Sequence, residues 1–136
     1  MKQNLIAVVA IFIAWFFLDF VIHGLILQSS YAASQVLWRP YEEMKYGLLY
    51  FVIFVSAVTF VLIYSSFFKE KTLGTGIKYG LLFGIGAGIS MGYGTYAVQP
   101  IPYPIALTWF LGTLVESVVA GALVGTIVKG DVPGDL

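Results

Sequence analysis

The sequence contains no cysteine, a single histidine and few charged residues. Without cysteine, the chain can form no disulfide, thiolate zinc site, iron–sulfur cluster or C-x-x-C-H haem attachment. Charged residues make up only 10% of the chain, whereas a soluble domain carries roughly a quarter. Seven Lys and Arg balance seven Asp and Glu without forming a basic cluster, so the electrostatic footprint of a nucleic-acid-binding protein is missing. The composition therefore excludes a water-soluble domain and a nucleic-acid partner.

Apolar residues make up 60% of the chain, and they concentrate in four runs at about 4–27, 46–68, 77–98 and 105–128. A helix needs about 20 residues to cross a hydrocarbon core of roughly 30 Å. The runs are continuous and do not alternate with polar residues, which favours helices over barrel strands. We therefore expect an all-α, antiparallel four-helix bundle that forms a single transmembrane domain over residues 1–136, with the lipid bilayer as its surroundings.

The distribution of basic residues predicts the orientation of the bundle. One side carries five of them, and the opposite side carries Arg39 and Lys45. The five are Lys2, Lys69, Lys71, Lys78 and Lys129. Since basic residues accumulate on the cytoplasmic side, both termini are expected there, in a bacterial-type inner membrane.

The connection at 28–45 is the longest, and its composition is typical of the membrane interface. It carries Tyr31, Trp38, Arg39 and Tyr41, so we expect it to lie on the outer surface. Pro40 with Glu42 and Glu43 is expected to form the first turn of the second helix, where carboxylates meet the positive end of the helix dipole. An outer metal or cation site is the alternative for the two glutamates.

Glycines at an unbroken spacing of four are the most specific pattern in the chain. They predict a groove on the third helix that a partner helix fills closely. The fourth helix offers Ala120 and three glycines for that antiparallel pair. A row of this spacing sweeps roughly 160° of the helix, so we expect surplus glycines to face helix one, a second copy or another protein. The alternative is an interrupted third helix near 90–95, as in transporters. The glycines are Gly76, Gly80, Gly84, Gly88 and Gly92 on helix three, and Gly112, Gly121 and Gly125 on helix four.

Asp19, His23 and Glu116 are ionisable residues deep inside the apolar runs. Such groups are costly in lipid and mark candidate functional sites. Asp19 and His23 share a helix face with Trp15, and the depths of Asp19 and Glu116 differ by only roughly 4 to 5 Å. We therefore expect an intramembrane cluster, completed by Tyr93, Tyr96, Thr113 and Ser117.

Several roles remain open for this cluster. It is either a structural hydrogen-bond network, a proton or cation pathway, a metal or haem site, or a pocket for a quinone-type headgroup. As ligands, Asp19, His23 and Glu116 suit iron, manganese or zinc better than copper(I). A lone histidine cannot provide bis-histidine haem ligation, so Met91 or the His23 of a second copy would have to complete it. No cofactor is predicted.

In its size, its four spans and the acid in its first helix, the chain resembles the small multidrug-resistance transporters, which work as dimers. Asp19 carries that likeness, whereas His23, Glu116 and the long 28–45 connection depart from the family pattern. No functional residue is carried over.

The sequence favours a non-catalytic membrane protein over an enzyme, because it shows no nucleophile–base arrangement and no phosphate-binding motif. We expect it to act through helix association, as a homo-oligomer or an accessory subunit of a larger membrane complex. A proton- or cation-coupled transporter or channel using Asp19, His23 and Glu116 is the alternative. A haem or metal protein is the third possibility.

Overall fold

The computed structural model describes residues 1–130, and this part of the chain is all-helical. Four helices are long and apolar enough to cross a membrane, which confirms the expected number and class of elements. They are α1 (Lys2–Ile26), α3 (Tyr46–Phe67), α4 (Leu73–Val98) and α5 (Tyr103–Ile127). The 28–45 connection is folded: it contains the short helix α2 (Gln28–Ala33) and the 3₁₀ turns Gln35–Leu37 and Tyr41–Glu43.

Local capping explains where the helices begin. α4 starts at Leu73, earlier than expected, because the Thr72 side chain accepts a hydrogen bond of 3.1 Å from the backbone N–H of Thr75. α5 starts at Tyr103 with a proline in its first turn.

The assignment of Pro40, Glu42 and Glu43 to the first turn of the second long helix is wrong. Glu42 and Glu43 form a separate 3₁₀ turn, and Met44 behind them is extended, with φ −67° and ψ 132°. The extended residue breaks the helical path, so α3 begins only at Tyr46. The two carboxylates therefore lie on the connection and not at the dipole of α3.

The four long helices pack in the cyclic order α1, α3, α4, α5. The most extensive interface is between α4 and α5, and α1 packs against both α3 and α5. α3 reaches α4 through aromatic side chains: the Tyr79 hydroxyl donates to the Phe60 carbonyl at 3.1 Å, and the two ring centroids are 4.4 Å apart. We call the end of the bundle that carries residues 27–45 and 99–102 the long-loop end, and the opposite end the terminal end.

The buried core divides into two apolar clusters, one toward each end. The cluster at the terminal end includes Ile11 and Trp15 of α1, and the cluster at the long-loop end includes Ile22 of the same helix. Asp19 lies between these residues on α1. The acidic side chain of Asp19 thus lies at a level between two apolar layers of the bundle.

Two segments of π-helix lie toward the long-loop end, at Phe20–Ile26 in α1 and Ser90–Gly94 in α4. The α4 segment lies where the sequence offered a flexible or interrupted third helix as the alternative: regular α-helix gives way to π-helix there, and the chain stays helical to Val98. The α1 segment was not expected, and it contains His23 and follows Asp19 directly. Short π-helical segments often occur at functional sites.

Candidate functional site

The five spaced glycines of α4 all face α5. A Cβ at Gly76 or Gly80 would overlap the carbonyl oxygen of Gly121 or Ser117, respectively. At Gly84, Gly88 and Gly92 it would meet α5 backbone or side-chain atoms that lie progressively nearer the start of that helix, around Leu114, Phe110 and Ala106.

The expectation that one partner cannot cover all five glycines is therefore wrong. A row at this spacing winds slowly around its helix, and a partner inclined along the row stays above it over the whole length. The stepwise shift of contacts along α5 is the pattern that such a partner produces. The groove is filled within the chain.

The glycines of α5 divide between two neighbours. Gly121 and Gly125 face α4, where a Cβ on Gly121 would overlap the Gly76 carbonyl oxygen. Gly112 instead faces α1: a Cβ there would lie 2.9 Å from the Cδ1 atom of Ile22. Gly112 thus belongs to the α1–α5 contact and not to the expected seam with α4. Gly86, beside the row on α4, has nothing within 4 Å of its Cβ position.

Asp19 and Glu116 meet between α1 and α5. Their side chains lie within hydrogen-bonding reach of each other. The Oε1 atom of Glu116 is buried, and it has no hydrogen-bond donor among residues 1–130. These two facts agree, because two ionised carboxylates are both acceptors and can bond only when one of them carries a proton. The arrangement is thus a place where a proton can reside.

His23 continues the polar chain toward the long-loop end. Its Nε2 atom lies 3.6 Å from Oδ1 of Asp19, and the two side chains are 37% and 31% exposed, respectively. Its Nδ1 atom lies 2.6 Å from the Tyr31 hydroxyl of α2. The imidazole therefore connects the acid pair inside the bundle to the folded connection outside it.

The direction of these hydrogen bonds follows from Trp109, whose indole can only donate. Its Nε1–H donates to the Tyr31 oxygen at 2.8 Å, so the Tyr31 O–H is free to donate to Nδ1 of His23. That bond places the imidazole hydrogen on Nε2, which faces Asp19. Burial raises the pKa of Tyr31 to about 12, against a smaller lowering by the Trp109 N–H. Tyr31 therefore keeps its proton at neutral pH.

Trp15 supports the chain from the terminal side. Its indole N–H donates to the backbone carbonyl of Glu116 at 2.8 Å, and its ring meets Phe60 of α3 edge-on at 5.8 Å. Trp15 thus fixes α1 against α5 at the level of the two carboxyls.

The remaining expected members of the cluster lie elsewhere, on the seam between α4 and α5. The Tyr93 hydroxyl pairs with that of Tyr103 at 3.0 Å, and the Tyr96 ring packs against the same tyrosine. Thr113 and Ser117 lie against Gly88 and the Gly80–Gly84 stretch, respectively. No hydrogen bond within residues 1–130 joins these four side chains to Asp19, His23 or Glu116. Their depths suit the cluster, but they occupy the face of their helices that forms the seam.

An open cavity of about 700 Å³ lies beside His23 at the long-loop end. Four aromatic side chains and one arginine contribute most of its chemical character. The lining residues include His23, Tyr31, Trp38, Arg39, Tyr41 and Trp109. Tyr31, Trp38 and Trp109 also contact one another, with ring centroids 5.2 Å apart for Tyr31–Trp38 and 6.1 Å for Trp38–Trp109. The polar chain from Glu116 therefore ends at an aromatic cavity.

Trp109 is the member of this site that the sequence analysis missed. It lies seven residues before Glu116 on α5, so both residues lie on one helix face. That spacing could have found it. The fold of the 28–45 connection, which brings Tyr31 and Trp38 over the end of α1, has no comparable signal in the sequence.

The three candidate metal ligands form a chain and not a ligand shell. Asp19 contacts both other residues, while His23 and Glu116 lie on opposite sides of it. Within residues 1–130, no three His, Asp or Glu side chains converge in a way that could hold a metal ion.

Comparisons of the chain with protein-family models, with curated proteins and with solved structures give no match.

Proposed function

We propose that the chain is an integral membrane protein that accepts and passes on a proton through Glu116, Asp19 and His23, as a small proton-coupled transporter. Both termini lie in the cytoplasm in this proposal, since five basic residues flank the terminal end and two flank the long-loop end. The aromatic cavity then faces the outside of the cell. The observation that carries the proposal is the buried Oε1 atom of Glu116, which lacks a donor although the neighbouring side chain is the acid Asp19.

The two carboxyls supply the proton-binding step. Two negative charges in contact, away from bulk water, repel each other strongly. A proton held between them removes that repulsion. A purely structural pair would be better served by a neutral amide, so the pair of acids favours exchange of the proton.

The imidazole and the phenol supply the path to the cavity. When Tyr31 passes its proton to Nδ1 of His23, it takes up another from the cavity, and the Nε2 proton moves on to Asp19. The Tyr31 hydroxyl lies at hydrogen-bond distance from Nδ1, 2.6 Å, whereas Nε2 lies 3.6 Å from Asp19 Oδ1 and has to approach it for the second transfer. Because the pKa of Tyr31 is raised, a separate phenolate is unfavourable, and the phenol has to take up a proton from the cavity in the same step in which it gives one to Nδ1.

Below Glu116, the apolar cluster of the terminal end closes the path. Completing transport therefore requires a second arrangement of the helices. The α4–α5 pair is held by backbone contacts at its glycines, whereas α1 contacts α5 mainly through side chains. We expect α1 to be the moving element, with its π-helical segment adjusting around His23.

Carbodiimide labelling combined with proton flux tests the proposal. Dicyclohexylcarbodiimide reacts with protonated carboxyls in apolar surroundings, and mass spectrometry of the labelled protein should locate the adduct on Glu116 or Asp19. In proteoliposomes with a pH-sensitive dye inside, Glu116→Gln and Asp19→Asn should abolish proton flux. Glu42→Gln is the matched control, because this carboxyl is exposed at the same end, and it should change nothing. Unchanged flux in both acid variants would overturn the proposal.

The other function expected from the sequence, helix association with a second copy or other subunits, depended on glycines left over after the seam forms. In the structure, α5 covers all five. The glycine row therefore provides no argument for an external partner.

A further inference from the structure

Three of the aromatic side chains that line the cavity, Tyr31, Trp38 and Trp109, have their polar atoms engaged in hydrogen bonds. The Trp38 N–H donates to the Ser34 hydroxyl at 3.0 Å, the Trp109 N–H donates to Tyr31, and Tyr31 is bonded to His23. Since these polar atoms are already engaged, the rings can offer a ligand only contact, stacking and edge interactions. Such walls suit an apolar or aromatic body.

Arg39 brings a permanent positive charge to a lining whose other polar groups include the Gln35 amide and the Tyr41 hydroxyl. Among residues 1–130, it forms no salt bridge and no side-chain hydrogen bond, although it lines the same space as the aromatic rings. A guanidinium offers five N–H donors in a planar fork that matches a carboxylate or phosphate. An anionic group on the ligand would pair with it.

We infer that this cavity binds an amphipathic anion, a ligand with one carboxylate or phosphate group on an apolar or aromatic body. The volume of about 700 Å³ lies within the range of roughly 300–1,000 Å³ for small-molecule sites. A cation would also suit aromatic walls, but Arg39 repels it. Both a membrane-dissolved organic acid and an anionic phospholipid have the required chemistry.

The inference that this anion moves together with the proton rests on the proposed function. Binding itself does not, so the two can fail separately. Glu116→Gln should abolish proton flux and leave anion binding intact. Loss of flux in that variant with normal anion binding supports both proposals. Proton flux in the parent chain that depends on Glu116, together with no preference for the anion, overturns only the present one.

Tryptophan quenching in nanodiscs of phosphatidylcholine measures the binding. The Trp15→Phe variant leaves only the two cavity tryptophans, Trp38 and Trp109, as reporters. Three quenchers with the same ring are titrated: 4-nitrobenzoate, 4-nitrobenzyl alcohol and 4-nitrobenzyl-trimethylammonium. The carboxylate should quench saturably at a concentration about tenfold or more below that of the neutral alcohol. Equal affinities, or tighter binding of the ammonium compound, would overturn the inference.

Substitutions of the two cations then test whether Arg39 causes the preference for the carboxylate. In the Trp15→Phe background, Arg39→Gln should remove the tenfold advantage of the carboxylate, and Arg39→Lys should retain part of it. Lys45→Gln is the matched control, because this is the other cation of the long-loop end but does not line the cavity. A preference that survives Arg39→Gln, or one that is lost in Lys45→Gln, contradicts the assignment.

The lipid composition distinguishes the two sources of the anion. Nanodiscs containing phosphatidylglycerol should weaken 4-nitrobenzoate binding if a lipid headgroup is the occupant. They should leave it unchanged if the occupant is a soluble acid. Either result agrees with an anion site, and the result identifies whether the anion is a lipid headgroup or a soluble acid.

Discussion

The backbone contact between α4 and α5 predicts a graded response to single methyl groups. At Gly80 a methyl would overlap the Ser117 carbonyl oxygen and lie 2.9 Å from its carbon. At Gly84 the nearest atoms are the Ser117 Cβ at 2.9 Å and the Leu114 Cα at 3.0 Å. At Gly86 nothing lies within 4 Å. Alanine at these positions should therefore destabilise the bundle in the order Gly80, Gly84, Gly86.

The magnitude follows from what has to move. To restore an ordinary contact of 3.4 Å with the overlapping Ser117 carbonyl oxygen, the backbone of α5 must retreat by more than about one ångström. Backbone cannot rotate away as a side chain can, so neighbouring glycine contacts open as well. An added methyl in a filled core costs about 1–3 kcal/mol, and Gly80→Ala should lie at the upper end. Gly86→Ala should change stability by less than about 0.5 kcal/mol.

Unfolding in mixed micelles with increasing sodium dodecyl sulfate, followed by circular dichroism, measures these differences. Light scattering after size exclusion measures the mass of the detergent-solubilised protein at the same time. We expect stability to fall while the mass stays constant, because the seam lies within one chain. Equal stability of Gly80→Ala and Gly86→Ala, or a change of oligomeric mass in the former alone, would refute the reasoning.

Three further predictions concern hydrogen bonds. Thr72→Ala removes the side-chain cap of α4 and should cost about 1 kcal/mol in the same unfolding assay; an unchanged midpoint would contradict the capping role. Tyr79→Phe removes the bond to the Phe60 carbonyl and should cost about 1 kcal/mol, whereas a gain in stability would show that the hydroxyl is not needed there. The raised pKa of Tyr31, about 12 in the folded chain, means that its contribution to stability is complete below its ordinary pKa and is lost as the pH rises through about 12. Unfolding midpoints at pH 9 and at pH 12 should therefore differ less in Tyr31→Phe than in the parent chain, and an equal difference would rule out this contribution.

The long helices could be predicted from the sequence because each depends on a local property, a continuous apolar run of sufficient length. Their ends could not be predicted as well. Hydropathy does not register a threonine that accepts one hydrogen bond, so the start of α4 at Leu73 escaped it. The preference of carboxylates for helix starts placed Glu42 and Glu43 in the first turn of the second long helix, but the extended Met44 separates them from α3.

The candidate site could be predicted where its residues share one helix or one depth. Asp19 and His23 are four residues apart on α1, and Glu116 has a matching depth on α5. Tyr93 and Thr113 also have matching depths, but depth alone does not say which way a side chain points around its helix. The glycine row determines that direction, since it turns one face of each helix into the seam. When the glycine row sets the orientation of α4 and α5, Tyr93 and Thr113 fall on the seam and not in the cluster of Asp19, His23 and Glu116.

The bundle contains two kinds of helix contact, which differ in how freely they can rearrange. A seam in which backbone touches backbone along its whole length has few alternative arrangements, because every glycine contact must open together. The α1–α5 contact has a different character: at Gly112 it meets the end of the Ile22 side chain, and its polar groups are the two carboxyls. Side-chain ends can rearrange, and a carboxyl pair changes its attraction to repulsion when one proton leaves. The proposed proton site therefore lies at the interface that has the freedom to respond to it, next to a π-helical segment and an open cavity. A transporter needs this combination, since loss of the proton must weaken one helix contact while the rest of the fold stays intact.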